Sequence, residues 1–540
     1  MIVRSVTYLV SATALAVGAF AQTLVDPNLT FDTVVSGLTT PISIAFLDAD
    51  DFLVIEKSTG QVKRVQSGSV TATVLDLPVM SNSERGLLGM ALHPDFPATP
   101  HVFLYYSRST GGADNVSWED NRVERFTWTG TALTDPQLII AFPPSSLGNG
   151  PNHDGGVILF GPDGKLYGVT GDLNRNGYEQ NNQSGPVANV GGIFRLNPDG
   201  SIPSDNPFVG DGRPEFERLV AYGVRNSFGM SFDSKTGMLW DTENGPTSYD
   251  EVNMVPFGLN SGWNKIMGPD DRDPQGLGDL YMISGAFYRD PDFSWLSPIG
   301  VTSIVFLHSA KFAPGLRDQC IVGDNNFGQL YRFDMNSNRD GFVLSGSLAD
   351  KVADSATERN LVRWGTGWGV VTDLRIGPDG NLWLTSLSLG RVYRIRAVTA
   401  PDTLAGKVTL GSYGGVPTGV PLSIELRTGD TVVETLTTTV GAFGEYYVSP
   451  SSAGTFDVIA KAGHWLSVRH DGVSISGDVV LDLSFPYNGD VDGDDLIGLA
   501  DLNTVLLDFG GTAADIDGSG QTDLSDLSTI LINFGRAGEG

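Results

Sequence analysis

The chain has 540 residues, 40% hydrophobic and 9% aromatic, which is too long for one ordinary core and too apolar for disorder. Its formal charge of −29 sets it against nucleic acid and anionic membranes and favours cations and neutral partners such as sugars. The single cysteine, Cys320, excludes an internal disulfide and, with no nucleophile motif around it, reads as a buried strand residue.

Residues 1–21 read as an export signal. Arg4 supplies the positive start, Tyr8 to Phe20 an apolar stretch, and Ala19-Phe20-Ala21 a small-residue cleavage site before Gln22. That stretch is too short for a hydrocarbon layer of about 30 Å, and no other segment approaches the length of a membrane span. The expectation is an exported protein, periplasmic, extracellular or held at the cell surface.

Residues 28–398 alternate short apolar runs with Asp-Gly-type turns. Phe160-Gly-Pro-Asp-Gly-Lys-Leu-Tyr-Gly-Val-Thr170 has a near copy at Ile376-Gly-Pro-Asp-Gly-Asn-Leu-Trp-Leu-Thr385, and variants stand at Ser58–Val62 and Ser234–Trp240. With 68 Gly and 29 Pro in the chain, this pattern predicts a mainly β fold of recurring hairpins. A β-propeller, which limits exposed sheet edges by radial repetition, is one solution, and two stacked sandwiches are the other.

Residues 399–486 change character. After the linker Ala400-Pro401-Asp402-Thr403, alternating segments such as Val420–Arg427 and Glu445–Val448 predict a small β-sandwich. It loosely resembles carboxypeptidase-regulatory or prealbumin-like modules and is expected to act as a spacer, with sugar binding as the alternative.

Residues 488–540 carry an internal repeat. Asp490-Val-Asp-Gly-Asp-Asp-Leu-Ile-Gly-Leu-Ala-Asp501 recurs 25 residues later as Asp515-Ile-Asp-Gly-Ser-Gly-Gln-Thr-Asp-Leu-Ser-Asp526, each before an apolar helical stretch. Oxygen ligands at loop positions 1, 3, 5, 9 and 12 can surround Ca²⁺. Asp490, Asp492, Asp494 and Asp501 supply positions 1, 3, 5 and 12 of the first loop. Asp515, Asp517, Ser519, Asp523 and Asp526 supply positions 1, 3, 5, 9 and 12 of the second. Paired loops ending in Asp, each followed by one helix, resemble a dockerin module, which implies a cohesin-like protein partner. Asp495 departs from the pattern, standing at position 6 where Gly usually permits the turn.

Within 28–398, several segments resemble the glucose/sorbosone dehydrogenase family, the soluble quinoprotein sugar dehydrogenases. They are Glu84-Arg-Gly-Leu-Leu-Gly, His153-Asp-Gly-Gly-Val-Ile-Leu-Phe with Thr170-Gly-Asp172, and Phe194-Arg-Leu-Asn-Pro-Asp-Gly. Tyr222-Gly-Val-Arg-Asn-Ser-Phe-Gly229 and Glu243-Asn-Gly-Pro-Thr-Ser-Tyr-Asp-Glu-Val-Asn253 complete the set. The resemblance implies a six-bladed propeller, pyrroloquinoline quinone (PQQ) as cofactor, and an aldose or related carbohydrate as substrate. Hydride removal from a sugar needs an acceptor that no side chain provides, and no Gly-x-Gly-x-x-Gly dinucleotide motif opens a helix here.

The same resemblance implies His153 as general base, Asp172 as the carboxylate orienting it, and Arg225 and Asn226 as groups polarising the quinone oxygen, with Glu84 also at the cofactor. It implies that the carbonyls of Gly245 and Pro246 hold a calcium beside the cofactor and that Asp250 binds a neighbouring structural calcium. Two departures stand out. Arg225-Asn226 is followed by Ser227-Phe228, which loses an amide. Val322–Tyr331 and Gly369–Arg375 lack the Lys and Arg that hold the cofactor's carboxylates, with Arg375 at a different offset. A noncatalytic propeller binding a glycan or protein is the alternative.

Overall fold

The computed structural model describes residues 21–182, 190–273 and 276–540. Most of the expected export signal therefore lies outside the described residues. Among them, no helix is long and apolar enough to cross a membrane.

Between Thr23 and Ala397 the chain forms six antiparallel-based sheets of four to six strands. Their first strands are Pro41–Asp48, Leu87–Leu92, Ile158–Phe160, Ser227–Phe232, Val301–Phe306 and Val371–Ile376. Each packs against the next, and the sixth returns to the first, so these strands close a ring. The ring is joined by the two ends of the segment. Leu29–Ser36 pairs with Arg391–Ala397 and so enters the last sheet, a closure that leaves few free edges. Apolar clusters fill the spaces between neighbouring sheets, for example Phe103, Tyr105, Phe142, Phe194, Phe216 and Tyr222.

The near-copy motifs prove equivalent. Gly161–Gly164 turns between Ile158–Phe160 and Leu166–Thr170, and Gly377–Gly380 between Val371–Ile376 and Leu382–Ser386. Gly164 and Gly380 have φ of 70° and 71°, the left-handed region where a side chain is disfavoured. The Ser58–Val62 turn is not of this class: it links the second and third strands of its sheet, at the opposite end. A shared turn chemistry made the two places look alike.

Residues 404–485 form two four-stranded sheets that enclose Leu404, Ile424, Val458, Trp465 and Phe485. Sequence expects a spacer here, but the sandwich packs on the ring. Ala442 N donates to Ser234 O at 2.8 Å, Lys235 Nζ to Thr439 Oγ1 at 3.3 Å, and Lys311 pairs with Asp478. Phe232 and Phe443 meet edge to face at 6.0 Å. Alternation reveals that a segment makes strands, but not which of its surfaces meets a neighbour.

The helices Leu499–Leu507 and Leu524–Asn533 follow, packed with Leu466 of the sandwich around Ile497, Val505, Ile516 and Ile530.

Candidate functional site

The ring has one mouth at the N-terminal ends of its first strands, and the loops entering the second, third and fourth sheets meet there. Glu84 precedes Leu87–Leu92, His153 precedes Ile158–Phe160, and Arg225-Asn226 precede Ser227–Phe232. Asp172 follows the antiparallel strand Leu166–Thr170, which returns it to the same end. Side chains separated by up to 142 positions thus come into contact.

Asp172 is 1% exposed and accepts from His153 Nδ1 at 2.5 Å. The other Asp172 oxygen accepts from Trp263 Nε1 at 2.7 Å and Gly177 N at 3.0 Å. Burial alone would push this carboxyl up, but the His153 hydrogen bond and charge, with Trp263 and Gly177, hold it below its ordinary value. The hydrogen-bond network assigns the proton to Nδ1 in the neutral ring, which leaves Nε2 as a lone pair. His153 takes φ of 63°, a left-handed conformation a non-glycine residue holds only when its surroundings fix it. Those surroundings are visible: His153 N donates to Glu84 Oε2 at 2.6 Å, and His153 O accepts from Leu173 N at 3.2 Å.

Glu84 Oε2 also accepts from Asn226 Nδ2 at 3.1 Å, and Asn226 Oδ1 accepts from Gly155 N at 3.3 Å. Glu84 therefore ties the second, third and fourth sheets together at the mouth. The Arg225 guanidinium lies over the Trp263 ring at 5.3 Å and donates to Asn244 O at 2.8 Å. Its Nε is buried without a partner. Burial lowers the pKa of Arg225, opposed by Asp172, Glu243 and Glu84. Trp263 touches both Asp172 and Arg225; no motif signalled it, because it acts from a loop 91 positions after Asp172.

Behind Arg225, the strands Leu239–Glu243 and Asp250–Met254 bury four carboxylates, Asp241, Glu243, Asp250 and Glu251. Burial raises Asp241 to about 7 and Glu243 to about 8, and pushes Glu251 well up, with mutual repulsion adding to Glu243 and Glu251. Gly245 lies beside them. A Cβ there would stand 2.0 Å from Ser248 O and 2.3 Å from Tyr249 O, so only glycine fits, and several carbonyls crowd this turn. Asp250 Oδ1 accepts from Gly245 N at 2.9 Å, and Oδ2 from Ile299, Gly300 and Val301 N at 2.8, 2.7 and 3.1 Å. Asp250 thus braces the fourth sheet against the fifth through backbone donors, a role its spacing did not reveal. Pro246 sits in the same turn.

On the side of Arg225 and Asn226, the unpartnered Arg225 Nε is the donor that a quinone carbonyl would use. Among the described residues, Val322–Tyr331 of the fifth sheet carries no Lys or Arg, and Gly369–Arg375 of the sixth carries only Arg375. Asp324 is filled by Phe327 N, Gln329 N and Tyr331 Oη. Arg375 stands away from the mouth, bound to Asp373 Oδ2 at 2.8 Å and Ser43 Oγ at 3.1 Å.

In the C-terminal segment the repeat is structural. Asp501 accepts from the amides of Val491, Asp492 and Gly498, and Asp526 from those of Ile516, Asp517 and Asp523. Ligand atoms of Asp490, Asp492 and Asp494 lie within 4.8 Å of one another, as do those of Asp515, Asp517 and Asp526. Asp501 stands outside the first group, and Asp523 outside the second, where it caps its helix by accepting from Ser525 N at 2.7 Å. Ser519 Oγ donates to Gln521 O at 3.1 Å. Asp495, at φ 66°, accepts from Ser467 N at 2.7 Å and Ser467 Oγ at 2.5 Å, which accounts for a non-glycine in that turn.

Residues 38–394 match the Glucose / Sorbosone dehydrogenase family. The chain is 28% identical over 363 residues to the aldose sugar dehydrogenase YliI of Escherichia coli K12, covering 66% of this chain and 89% of that one. It superposes with a TM-score of 0.53 and 28% identity on a putative oxidoreductase (glucose dehydrogenase) of Thermus thermophilus, over 68% of this chain and 99% of the other. The PQQ-bound aldose sugar dehydrogenase of Streptomyces coelicolor gives 0.51 and 25%, over 68% and 98%.

Proposed function

Because the chain belongs to the glucose/sorbosone dehydrogenase family over residues 38–394, we propose that it is an exported quinoprotein oxidoreductase of an aldose or related carbohydrate. The six sheets are then the blades of a six-bladed propeller. The observation that carries the reading is the His153–Asp172 pair at 2.5 Å, set in one mouth with Arg225 and Asn226. PQQ, when bound, supplies the hydride acceptor that side chains lack.

The chain's own residues do the rest. His153 Nε2 takes the proton from the sugar hydroxyl, and Asp172 stabilises the imidazolium that results. Arg225 and Asn226 place donors where an acceptor oxygen gains negative charge. Glu84 fixes the backbone of His153 and the amide of Asn226. The carbonyls of Gly245 and Pro246 would hold Ca²⁺, and the buried carboxylates behind them favour a cation.

At the other end, the Asp-rich loops bind Ca²⁺ as a dockerin-like module facing a cohesin-like protein. Exposed Leu499, Leu506, Leu507 and Phe509 recur 25 positions on as Leu524, Leu531, Ile532 and Phe534, a doubled apolar face suited to a partner. The missing cations of the fifth and sixth sheets favour a second reading, a propeller that binds a glycan or protein without oxidising it. Mutation separates the two. On the enzyme reading, His153→Ala lowers turnover by about 10²–10⁴-fold with quinone affinity kept, whereas Arg225→Ala weakens both; no turnover in the wild type selects the binding reading.

A further inference from the structure

The ring has a second mouth, at the far ends of the first strands from His153, and the sandwich packs against it. A cavity of about 840 Å³ runs along the axis to this mouth, walled by Phe160, Phe232, Phe306 and His308 of the ring and by Phe443 and Glu445 of the sandwich. Its size falls within the range of small-molecule sites, which favour junctions between domains.

His308 gives the cavity a chemical preference. Its Nδ1 is bonded to Asp318 Oδ1 at 2.5 Å, the same arrangement as His153 with Asp172. With Nδ1 donating, Nε2 of the neutral ring is an acceptor. The side chain is 8% exposed, and Nε2 has no hydrogen-bond partner. The carboxylate facing it, Glu445 Oε1, is 3.6 Å away, too far for a hydrogen bond. The other Glu445 oxygen is taken by Phe443 N at 2.9 Å. In the neutral ring two acceptors therefore stand side by side with no donor between them, against aromatic walls.

An anion is disfavoured by Glu445 and by the charge of the chain. A cation is disfavoured by Lys407, which also lines the cavity, and Asp373 in the same wall is already paired with Arg375. A neutral molecule with neighbouring hydroxyls and an apolar face satisfies both acceptors and lies against the rings. We propose that this chamber is a second carbohydrate site, distinct from the His153 mouth, in which adjacent sugar hydroxyls donate to His308 Nε2 and Glu445 and the ring face packs on Phe443. The sandwich is thus one wall of a binding site.

The test is calorimetric titration of the full chain with methyl β-D-glucopyranoside, which has no free anomeric hydroxyl to oxidise. Wild type and His153→Ala should bind it alike, while Phe443→Ala and His308→Gln should each bind at least about tenfold more weakly. Glu445→Gln, which keeps the size of the side chain, provides a third variant if His308→Gln does not fold. Absence of binding at millimolar probe, which would mean a chamber holding water only, overturns the proposal. So does binding lost in His153→Ala but retained in Phe443→Ala. Failure of sugar oxidation leaves the proposal intact, because Phe443→Ala, His308→Gln and Glu445→Gln alter the second mouth alone.

Discussion

The indole of Trp263 donates to Asp172 Oδ2 at 2.7 Å, completing a chain from Trp263 through Asp172 to His153. On the proposed reading, Trp263 therefore positions His153 without being a base itself. Trp263→Phe keeps the ring under Arg225 but removes the donor, so the Asp172 carboxyl should move up. Turnover should fall about tenfold, with the acidic limb of the pH–rate profile moved to higher pH. An unchanged limb with reduced turnover would show that the indole serves packing alone.

Acid should weaken the fold through two dyads. Asp172 and Asp318 are each pushed up by burial and pulled further down by His153 and His308, ending below the ordinary carboxylate value. A depressed carboxyl adds stability above its unfolded pKa and loses it as pH falls through the folded value. Melting temperature should therefore drop below about pH 4. Asp172→Asn and Asp318→Asn should each cost about 1–3 kcal/mol near neutrality and less at pH 3. Equal losses at both pH values contradict this.

Asp250 should matter for stability without calcium. It satisfies four backbone amides between two sheets, and Asp250→Ala strands them. A loss of about 3 kcal/mol is expected in chelator as well as in calcium. A loss seen only with calcium present would make Asp250 a metal ligand instead.

Lys461 tests the first Asp-rich loop. Its Nζ stands 2.5 Å from Asp490 Oδ2 and 3.9 Å from Asp495 Oδ1, so it opposes a cation in that loop, whereas Lys461 makes no such pair with the second loop. Lys461→Met should strengthen calcium binding at the first loop about tenfold and leave the second unchanged. Calcium titration of the full chain, with Asp515→Ala to silence the second loop, reads this directly; identical affinities in the two chains contradict it.

Much of this was legible in the residues, and the limits have physical causes. The turn at Gly161–Gly164 and its copy at Gly377–Gly380 announced hairpins, because Gly-x-x-Gly turn chemistry is local. The repeat at Asp490 and Asp515 was legible for the same reason, since its carboxylates fall within a dozen positions. His153, Asp172 and Arg225 stood out through resemblance alone, and only the ring brings them together. Trp263, the His308–Asp318 pair and the docking of Glu445 were silent, because each depends on which loop or surface meets which across the closed fold. Asp495 looked like a defect in its loop until Ser467 appeared as its partner.

The central claim, oxidation through a quinone at the His153 mouth, is tested most directly by titrating the calcium-loaded full chain with PQQ and following its absorbance, then adding an aldose and a reducible dye. The account predicts saturable binding, weaker than where Lys and Arg hold the carboxylates, and dye reduction that requires both aldose and His153. No binding at high micromolar quinone with calcium present would contradict it.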